Sequence, residues 1–154
     1  MPRVAAEEQL DRDALLDFVS SRHLGILITT RADARPQASP VTMGLSEGAV
    51  LIATYPSRAK VRNLRRNPAA AILVLSDKFD PWVQVYGTAS VVDLPDAVDG
   101  LVEYYRVISG DHPDWDEYRQ AMEDQGKCLV RVEIDDWGPV ARGGFPPDVA
   151  ARMQ

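Results

Sequence analysis

The residues that decide the fold are Val50–Pro68, VLIATYPSRAKVRNLRRNP. The apolar run Val50–Ala53 predicts a buried strand. Tyr55-Pro56 interrupts that run, and Ser57 is a residue type that commonly caps the start of a helix. A short helix is predicted from Arg58 to about Asn67, because the proline that follows cannot continue it. The stretch therefore predicts a strand that leads directly into a basic helix.

The first turn of this helix predicts an anion site. Arg58 and Lys60 lie where free N–H groups and the positive end of the helix dipole already favour an anion. Cations at that position are unfavourable for the helix alone, and a bound phosphate would stabilise them. The spacing places arginines on one face and apolar residues on another: Arg58, Arg62 and Arg65 against Val61 and Leu64. The alternative is a solvated basic helix on the protein surface.

The composition predicts one soluble domain with a core of its own. The chain has 154 residues, of which 45% are hydrophobic and 26% charged. Its net charge of -6 argues against non-specific nucleic-acid binding, so the basic helix is a local feature. The single cysteine excludes an intrachain disulfide. Neither a signal peptide nor a membrane-spanning stretch is recognisable, and we expect a cytoplasmic protein.

The order of elements predicts a small antiparallel barrel, mainly β with flanking helices. An amphipathic helix is expected over Ala6–Arg22, and two helices, Pro95–Ile108 and Pro113–Gln125, form an insert before the last strand. The strands are expected at Leu24–Arg31, Pro36–Met43, Ala49–Tyr55, Ala69–Leu75, Trp82–Asp93 and Lys127–Ile134. The single domain thus divides into residues 1–22, a barrel over 24–137 with the insert 95–125, and a tail, 138–154, that is mostly loop.

The strand predicted at Pro36–Met43 has unusual backbone chemistry. Pro36 and Pro40 cannot donate to a β-ladder, so this strand is either at an edge or bulged. Some of its backbone groups are then free to face a ligand. A second irregularity is expected at Gly87, in the middle of another strand, where a bulge or a tight corner is typical. A polar turn is expected at Leu45–Gly48, and a polar loop at SDKFDP, residues 76–81.

The sequence lacks the motifs of several common functional sites. His23 and His112 are far apart, and no cysteine or histidine spacing suits zinc. Asp111, Asp114 and Asp116 lack the glycine and closing glutamate of a calcium loop, so we interpret them as acids at a helix start. Cys128 lies on an apolar strand face, which predicts a buried, unreactive thiol. Nucleophile elbows, dinucleotide-binding glycine motifs and Walker loops are absent.

The remaining candidates predict a groove for a flat ring with a phosphate tail. Gln37, Ser39 and Pro40 lie on the edge strand, and Trp82 and Gln84 lie on another strand. A ring needs hydrogen bonds at its edge and apolar walls at its faces. Such a cofactor carries its own redox chemistry, so no catalytic acid or base of the protein is required. The alternative for Trp82 is an aromatic residue of the core or of a dimer interface.

Several segments, in order, resemble the pyridoxamine 5′-phosphate oxidase-like split-barrel family: LGILITTRADARPQASPV, SRAKVRNLRRNP and WVQVYGTA. The residues Tyr104–Met122, YYRVISGDHPDWDEYRQAM, resemble the helical insert of the actinobacterial branch that uses the deazaflavin coenzyme F-420. The likeness covers roughly residues 10 to 140. It implies a six- to seven-stranded split β-barrel that forms a homodimer, with two cofactor sites at the subunit interface.

The resemblance also implies roles for individual residues. Arg58 and Lys60 match the phosphate-binding pair of the family, with Ser57 beside them. The other matches are the segment that lines the ring (Gln37, Ser39, Pro40, Val41 and Thr42), the strand end beneath it (Ala53 and Thr54), and two residues from the partner subunit (Trp82 and Gln84). Pro40 departs from close relatives that carry a polar residue there, which leaves one contact to the ring open.

The expected function is hydride transfer from reduced F-420 to a small organic acceptor. A deazaflavin passes electrons in pairs, so the protein need only exclude water and orient the acceptor. One alternative is an FMN-binding flavoprotein with oxidase or reductase activity, because the family includes FMN proteins. Other members bind haem or biliverdin, and a second alternative is therefore a cofactor-binding protein without turnover. The sequence does not identify the acceptor.

Overall fold

The computed structural model describes all residues, 1–154, and contains nine strands and five helices. The strands are β1 Ala6–Glu8, β2 Leu24–Thr30, β3 Pro36–Thr42, β4 Gly44–Ser46, β5 Ala49–Thr54, β6 Ala69–Ser76, β7 Phe79–Val92, β8 Cys128–Trp137 and β9 Val140–Arg142. The helices are α1 Arg12–Ser20, α2 Ala59–Arg66, α3 Val98–Ser109, α4 Trp115–Gln125 and α5 Pro147–Arg152. The mainly antiparallel β architecture with flanking helices is as predicted, and the extra strands are the three-residue elements β1, β4 and β9.

The sheet curves into a split barrel, because its two end strands lie next to each other without hydrogen-bonding along their whole length. The order of hydrogen-bonded strands is β3-β2-β6-β7-β8-β5-β4, and every pairing among them is antiparallel. β3 and β4 lie at opposite ends of this order, yet only Met43 separates them in the chain. β5 continues past β4 by three residues, Ile52–Thr54, which hydrogen-bond to β8 and not to β3. We call the gap between β3 and this end of β5 the seam.

The barrel interior is filled by alternate residues of the long strands. Val83, Val85 and Ala89 of β7 are buried, as expected for alternate residues of a strand with one face in the core. α1 contributes Leu15 and Val19 to the same cluster of side chains, and α2 contributes Val61 and Leu64. The apolar face predicted for α2 therefore faces the core, and its basic residues are left on the outside.

The helical insert covers one outer face of the barrel. α3 and α4 pack against β5 and β8 through a second cluster of buried residues: Leu51, Ala97, Leu101, Val102, Tyr118, Met122 and Leu129. The insert was predicted correctly, although α3 begins at Val98 and α4 at Trp115. The Asp114 carboxylate accepts a hydrogen bond from the backbone N–H of Glu117, which confirms it as a helix-start acid. Gly126 ends α4 with a φ of 69°.

Both chain ends differ from the prediction. Ala6–Glu8 does not belong to the first helix, because it pairs with Val140–Arg142 as a strand. α1 begins at Arg12, where the Asp11 carboxylate accepts a hydrogen bond from the N–H of Ala14. The tail is likewise not mostly loop, since it contains β9 and α5. Local periodicity could not reveal a pairing between segments more than 130 residues apart.

Two predicted connections are shorter than expected, and one irregularity is confirmed. Gly44–Ser46 forms a strand, so the turn after it is confined to Glu47-Gly48. β7 begins at Phe79, which reduces the predicted loop at 76–81 to a tight hairpin. The register of β7 on β8 shifts at Gly87, where a Cβ would collide with the carbonyl oxygen of Glu133.

None of the helices is long and apolar enough to cross a membrane.

Candidate functional site

The seam leaves backbone groups of β3 available to a ligand. β3 hydrogen-bonds to β2 along its whole length and to no other strand, which confirms the prediction of an edge strand. Pro40 is exposed on this strand, opposite Ile26 of β2. Across the seam, Thr54 is buried and Ala53 is half-buried. The segments predicted to line the ring and to lie beneath it therefore flank one gap.

The side chains of β3 alternate between two environments. Gln37, Ser39 and Val41 are half-buried, whereas Pro40 and Thr42 are exposed. The Ser39 hydroxyl oxygen is fully buried and has no hydrogen-bond partner in the protomer. A buried hydroxyl without a hydrogen-bond partner lowers the stability of the folded protein. A ligand with a polar edge would satisfy it, and this orphaned hydroxyl is one observation that fits a bound ring.

The side chain of Gln37 belongs to a network of hydrogen bonds that the sequence did not predict. Its side-chain oxygen accepts a hydrogen bond of 3.0 Å from the Thr29 hydroxyl, which in turn accepts one of 3.1 Å from the Asn63 amide. Arg66 donates to the Asn63 side-chain oxygen at 2.9 Å. The network joins β3, β2 and α2, and so fixes one wall of the seam to the basic helix. No local motif could have indicated it, because its members come from three separate elements.

The start of α2 is open to an anion. Arg58, rather than Ser57, occupies the N-cap position, and no side chain caps the helix. The predicted cap was wrong because Ser57 lies one residue too early, in the turn that follows β5. The free N–H groups of the first turn consequently have no side-chain acceptor. Ser57 remains exposed beside them.

The two cations of the first turn have no carboxylate partner. Arg58 and Lys60 are absent from every ion pair of the protein. Burial, followed by the charge of Arg58, lowers the pKa of Lys60. The charge of Arg58 thus disfavours the charged form of Lys60, and an anion placed between the two side chains would favour it. The predicted phosphate-binding pair is brought together.

The last turn of α2 has different partners. Arg65 donates to both carboxylate oxygens of Asp93, at 2.6 and 2.9 Å, and this hydrogen bonding raises the pKa of Arg65. Arg66 donates to the carbonyl of Thr30 as well as to Asn63. The predicted face shared by Arg58, Arg62 and Arg65 is therefore not a continuous set of free cations.

Arg62 lies in a basic groove on the side of α2 that faces the start of β3. The groove has a volume of about 460 Å³ and is lined by Arg31, Ala32, Gln37, Ala59, Arg62, Asn63 and Arg66. No acidic residue lines it, although Asp33 pairs with Arg31 at 2.9 Å. Three of its seven lining residues are arginines, so the groove is suited to a negatively charged group.

Trp82 and Gln84 are not brought to the seam of their own protomer. They lie on β7, which is separated from β3 by both β2 and β6. Register places Gln84 beside Leu73, Leu73 beside Ile26, and Ile26 beside Pro40 across the outer face of these strands. The same face exposes Leu24 by 50% and Tyr86 by 42%. Trp82 and Gln84 therefore lie apart from the seam of their own protomer.

Cys128 plays no part in the seam. It is fully buried in the barrel core, and burial is the main cause that raises the pKa of its thiol. The prediction of a buried cysteine is confirmed, and the thiol is held in its protonated, weakly nucleophilic form.

Comparison with known proteins identifies relatives of the whole barrel. The sequence model of a family described as pyridoxamine 5′-phosphate oxidase matches residues 12–141. Among solved structures, a conserved hypothetical protein, Rv2991 from Mycobacterium tuberculosis, is 23% identical, with a TM-score of 0.71 over 90% of this chain and 89% of that one. An F-420 reductase is 19% identical, with a TM-score of 0.60 over 79% and 94%. A FAD-binding protein from Mesorhizobium loti is 16% identical, with a TM-score of 0.61 over 90% and 99%. At these identities the structural likeness shows the fold.

Proposed function

Because the chain belongs to the pyridoxamine 5′-phosphate oxidase family, we propose that it is an oxidoreductase that transfers a hydride from reduced F-420 to a small organic acceptor. The observation that carries the proposal is the uncapped start of α2, where Arg58 and Lys60 have no carboxylate partner. This is the arrangement that a phosphate needs. The likeness to an F-420 reductase supports the choice of cofactor.

The residues of the seam fit a phosphate-tailed ring. Arg58 and Lys60 would hold the phosphate, and the free edge of β3 would supply backbone hydrogen bonds to the ring. The buried hydroxyl of Ser39 would gain the partner it lacks in the protomer. Ala53 and Thr54 would lie beneath the ring, at the end of β5. The exposed Pro40 offers an apolar surface, with no side-chain hydrogen bond.

The proposal includes a homodimer with a site shared between subunits. Trp82 and Gln84 are directed away from the seam of their own protomer, on an outer face that exposes Leu24 and Tyr86. A second copy that covered this face would remove its apolar surface from water and bring Trp82 and Gln84 to the partner's seam. The insert covers the opposite side of the barrel with its own helices, so that side needs no partner.

The chemistry requires little of the protein beyond binding and orientation. The cofactor, when bound, supplies the hydride. The fixed wall built by Gln37, Thr29 and Asn63 would hold the ring in one orientation, and Trp82 from the partner would exclude water from one side. No side chain of the seam is assigned as a general acid or base. The buried single cysteine is compatible with the cytoplasmic location that the proposal assumes.

The basic groove favours F-420 over FMN. FMN ends at its phosphate, whereas F-420 extends beyond its phosphate into carboxylates. Arg62 and Arg66 line the groove together with Ala59, the residue between Arg58 and Lys60, and they would contribute to the part of the longer ligand beyond its phosphate. Arg65, which the sequence placed on the same helix face as Arg62, is bound to Asp93 and is not part of this contribution.

Turnover with reduced F-420 tests the proposal. Purified protein is mixed with reduced F-420 and a panel of quinones and activated alkenes, and the return of the oxidised cofactor's absorbance is followed. We expect protein-dependent oxidation with at least one acceptor, and its loss in Arg58→Ala. The FMN alternative would be supported by a protein that is purified yellow with bound FMN and that reduces acceptors with reduced FMN but not with reduced F-420. Tight cofactor binding with no turnover on any acceptor would support a binding protein instead.

A further inference from the structure

The lysine that follows the insert lies beside the proposed phosphate site. Thr54 of β5 pairs with Cys128 of β8, so the next residues outward, Tyr55 and Lys127, face each other at the strand ends. The ammonium nitrogen of Lys127 lies 4.5 Å from the centre of the Tyr55 ring. The guanidinium carbon of Arg58 lies 5.7 Å from the same ring. One aromatic ring therefore holds two cations from different elements.

This gathering of cations has no acidic counterpart. Lys127, like Arg58 and Lys60, forms no ion pair, whereas most arginines outside this region are paired with a carboxylate. Lys127 and Arg58 share the Tyr55 ring, and the charge of Arg58 contributes to the lowered pKa of Lys60, so an anion placed among these side chains would favour their charged forms. The cation–π contacts fix where these side chains lie, but they do not neutralise the charges.

We infer that Lys127 is a third cation of the anion site, held in place by Tyr55, and that it binds the phosphate of the ligand together with Arg58 and Lys60. The inference rests on the proposed function for the identity of the ligand, but its chemistry requires only a phosphate group. It also gives the helical insert a role in binding, because Lys127 is placed by the end of α4 at Gly126. The backbone N–H of Lys127 donates to the carbonyl of Met122, which fixes that junction.

Titration of charge variants tests this inference. Lys127→Gln removes the charge and keeps most of the side-chain length, and Lys127→Arg restores the charge. Lys78→Ala is the matched control, because Lys78 is exposed in the hairpin before β7, on a different part of the chain. We expect Lys127→Gln to weaken binding of both F-420 and FMN by about fivefold to tenfold, and Lys127→Arg to recover most of the loss. Lys78→Ala should bind like the wild type.

The outcomes separate this inference from the proposed function. A structural role for Lys127 would lower the melting temperature of Lys127→Gln without reducing the salt dependence of binding, and that result would overturn the inference. Wild-type affinity in Lys127→Gln would overturn it as well, while the proposed function would stand. If the wild type binds neither cofactor, the proposed function fails. The inference is then decided by inorganic pyrophosphate, for which the same ranking of variants is expected and equal binding would overturn it.

Discussion

The first and last turns of α2 carry the same type of side chain in opposite electrostatic surroundings. At the start, Arg58 and Lys60 have no carboxylate partner, and burial lowers the pKa of Lys60. At the end, Arg65 binds both oxygens of Asp93, which raises its pKa. A paired arginine stabilises the fold slightly, whereas unpaired cations at a helix start are suited to an external anion. The candidate site is therefore distinguished by cations that lack carboxylate partners, rather than by the number of cations.

Removal of the charges of the first turn tests the difference between the two turns most strongly. Arg58→Ala and Lys60→Ala should each weaken cofactor binding by about 10- to 100-fold, because a charge-assisted hydrogen bond to phosphate contributes about 1.5–3 kcal/mol. Fluorescence titration of F-420 measures the loss. Losses of the same size on removing Arg58, Arg62 and Arg65 in turn would indicate a diffuse basic field and contradict a defined site.

A second test leaves both ends of α2 intact and removes the partner subunit. Leu24→Asp introduces a charge on the exposed outer face of β2, and we expect it to convert a dimer into monomers and to weaken cofactor binding at least tenfold. Ser109→Asp, at the end of α3 on the side covered by the insert, is the control. Sedimentation at micromolar concentration reports the assembly. A wild-type monomer that still binds the cofactor would exclude a shared site.

The smallest expected effect lies at the far end of the helix. Arg65→Ala should lower the free energy of unfolding by only about 0.2–1 kcal/mol, because its ion pair with Asp93 is on the surface, and it should leave cofactor affinity unchanged. Arg62→Ala, which faces the basic groove, should weaken F-420 binding by up to about fivefold and FMN binding not at all. Chemical denaturation and parallel titrations separate these two effects. An Arg65→Ala variant with a large loss of affinity would invalidate the distinction between the two turns.

The sequence predicted the elements whose cause is local. The prolines of β3 indicated an edge strand or a bulge, and Gly87 indicated a bulge or a tight corner; the edge strand and the irregularity at Gly87 are confirmed. The strand-to-helix unit at α2 was also predicted, although its cap lies at Arg58 instead of Ser57. In all these cases the residue types within the segment itself indicate the backbone that it adopts.

The features that the sequence could not predict depend on distant residues. The pairing of Ala6–Glu8 with Val140–Arg142 joins the two chain ends, and no periodicity within either segment indicates it. The same holds for the bond between Arg65 and Asp93, which removes one arginine from the predicted basic face. The orphaned hydroxyl of Ser39 also becomes visible only once the packing around β3 is known. Local patterns thus indicated candidate residues, and the tertiary contacts show which of these residues have partners within the chain.

The central claim, that the first turn of α2 and its adjoining groove bind F-420, is tested most directly by titrating the wild type with F-420 and FMN at low and high salt. We predict tighter binding of F-420, with a preference that shrinks as salt rises, because Arg62 and Arg66 are exposed and their contribution is screened. Equal affinities, or tighter binding of FMN at either salt concentration, would contradict the account and favour an FMN flavoprotein.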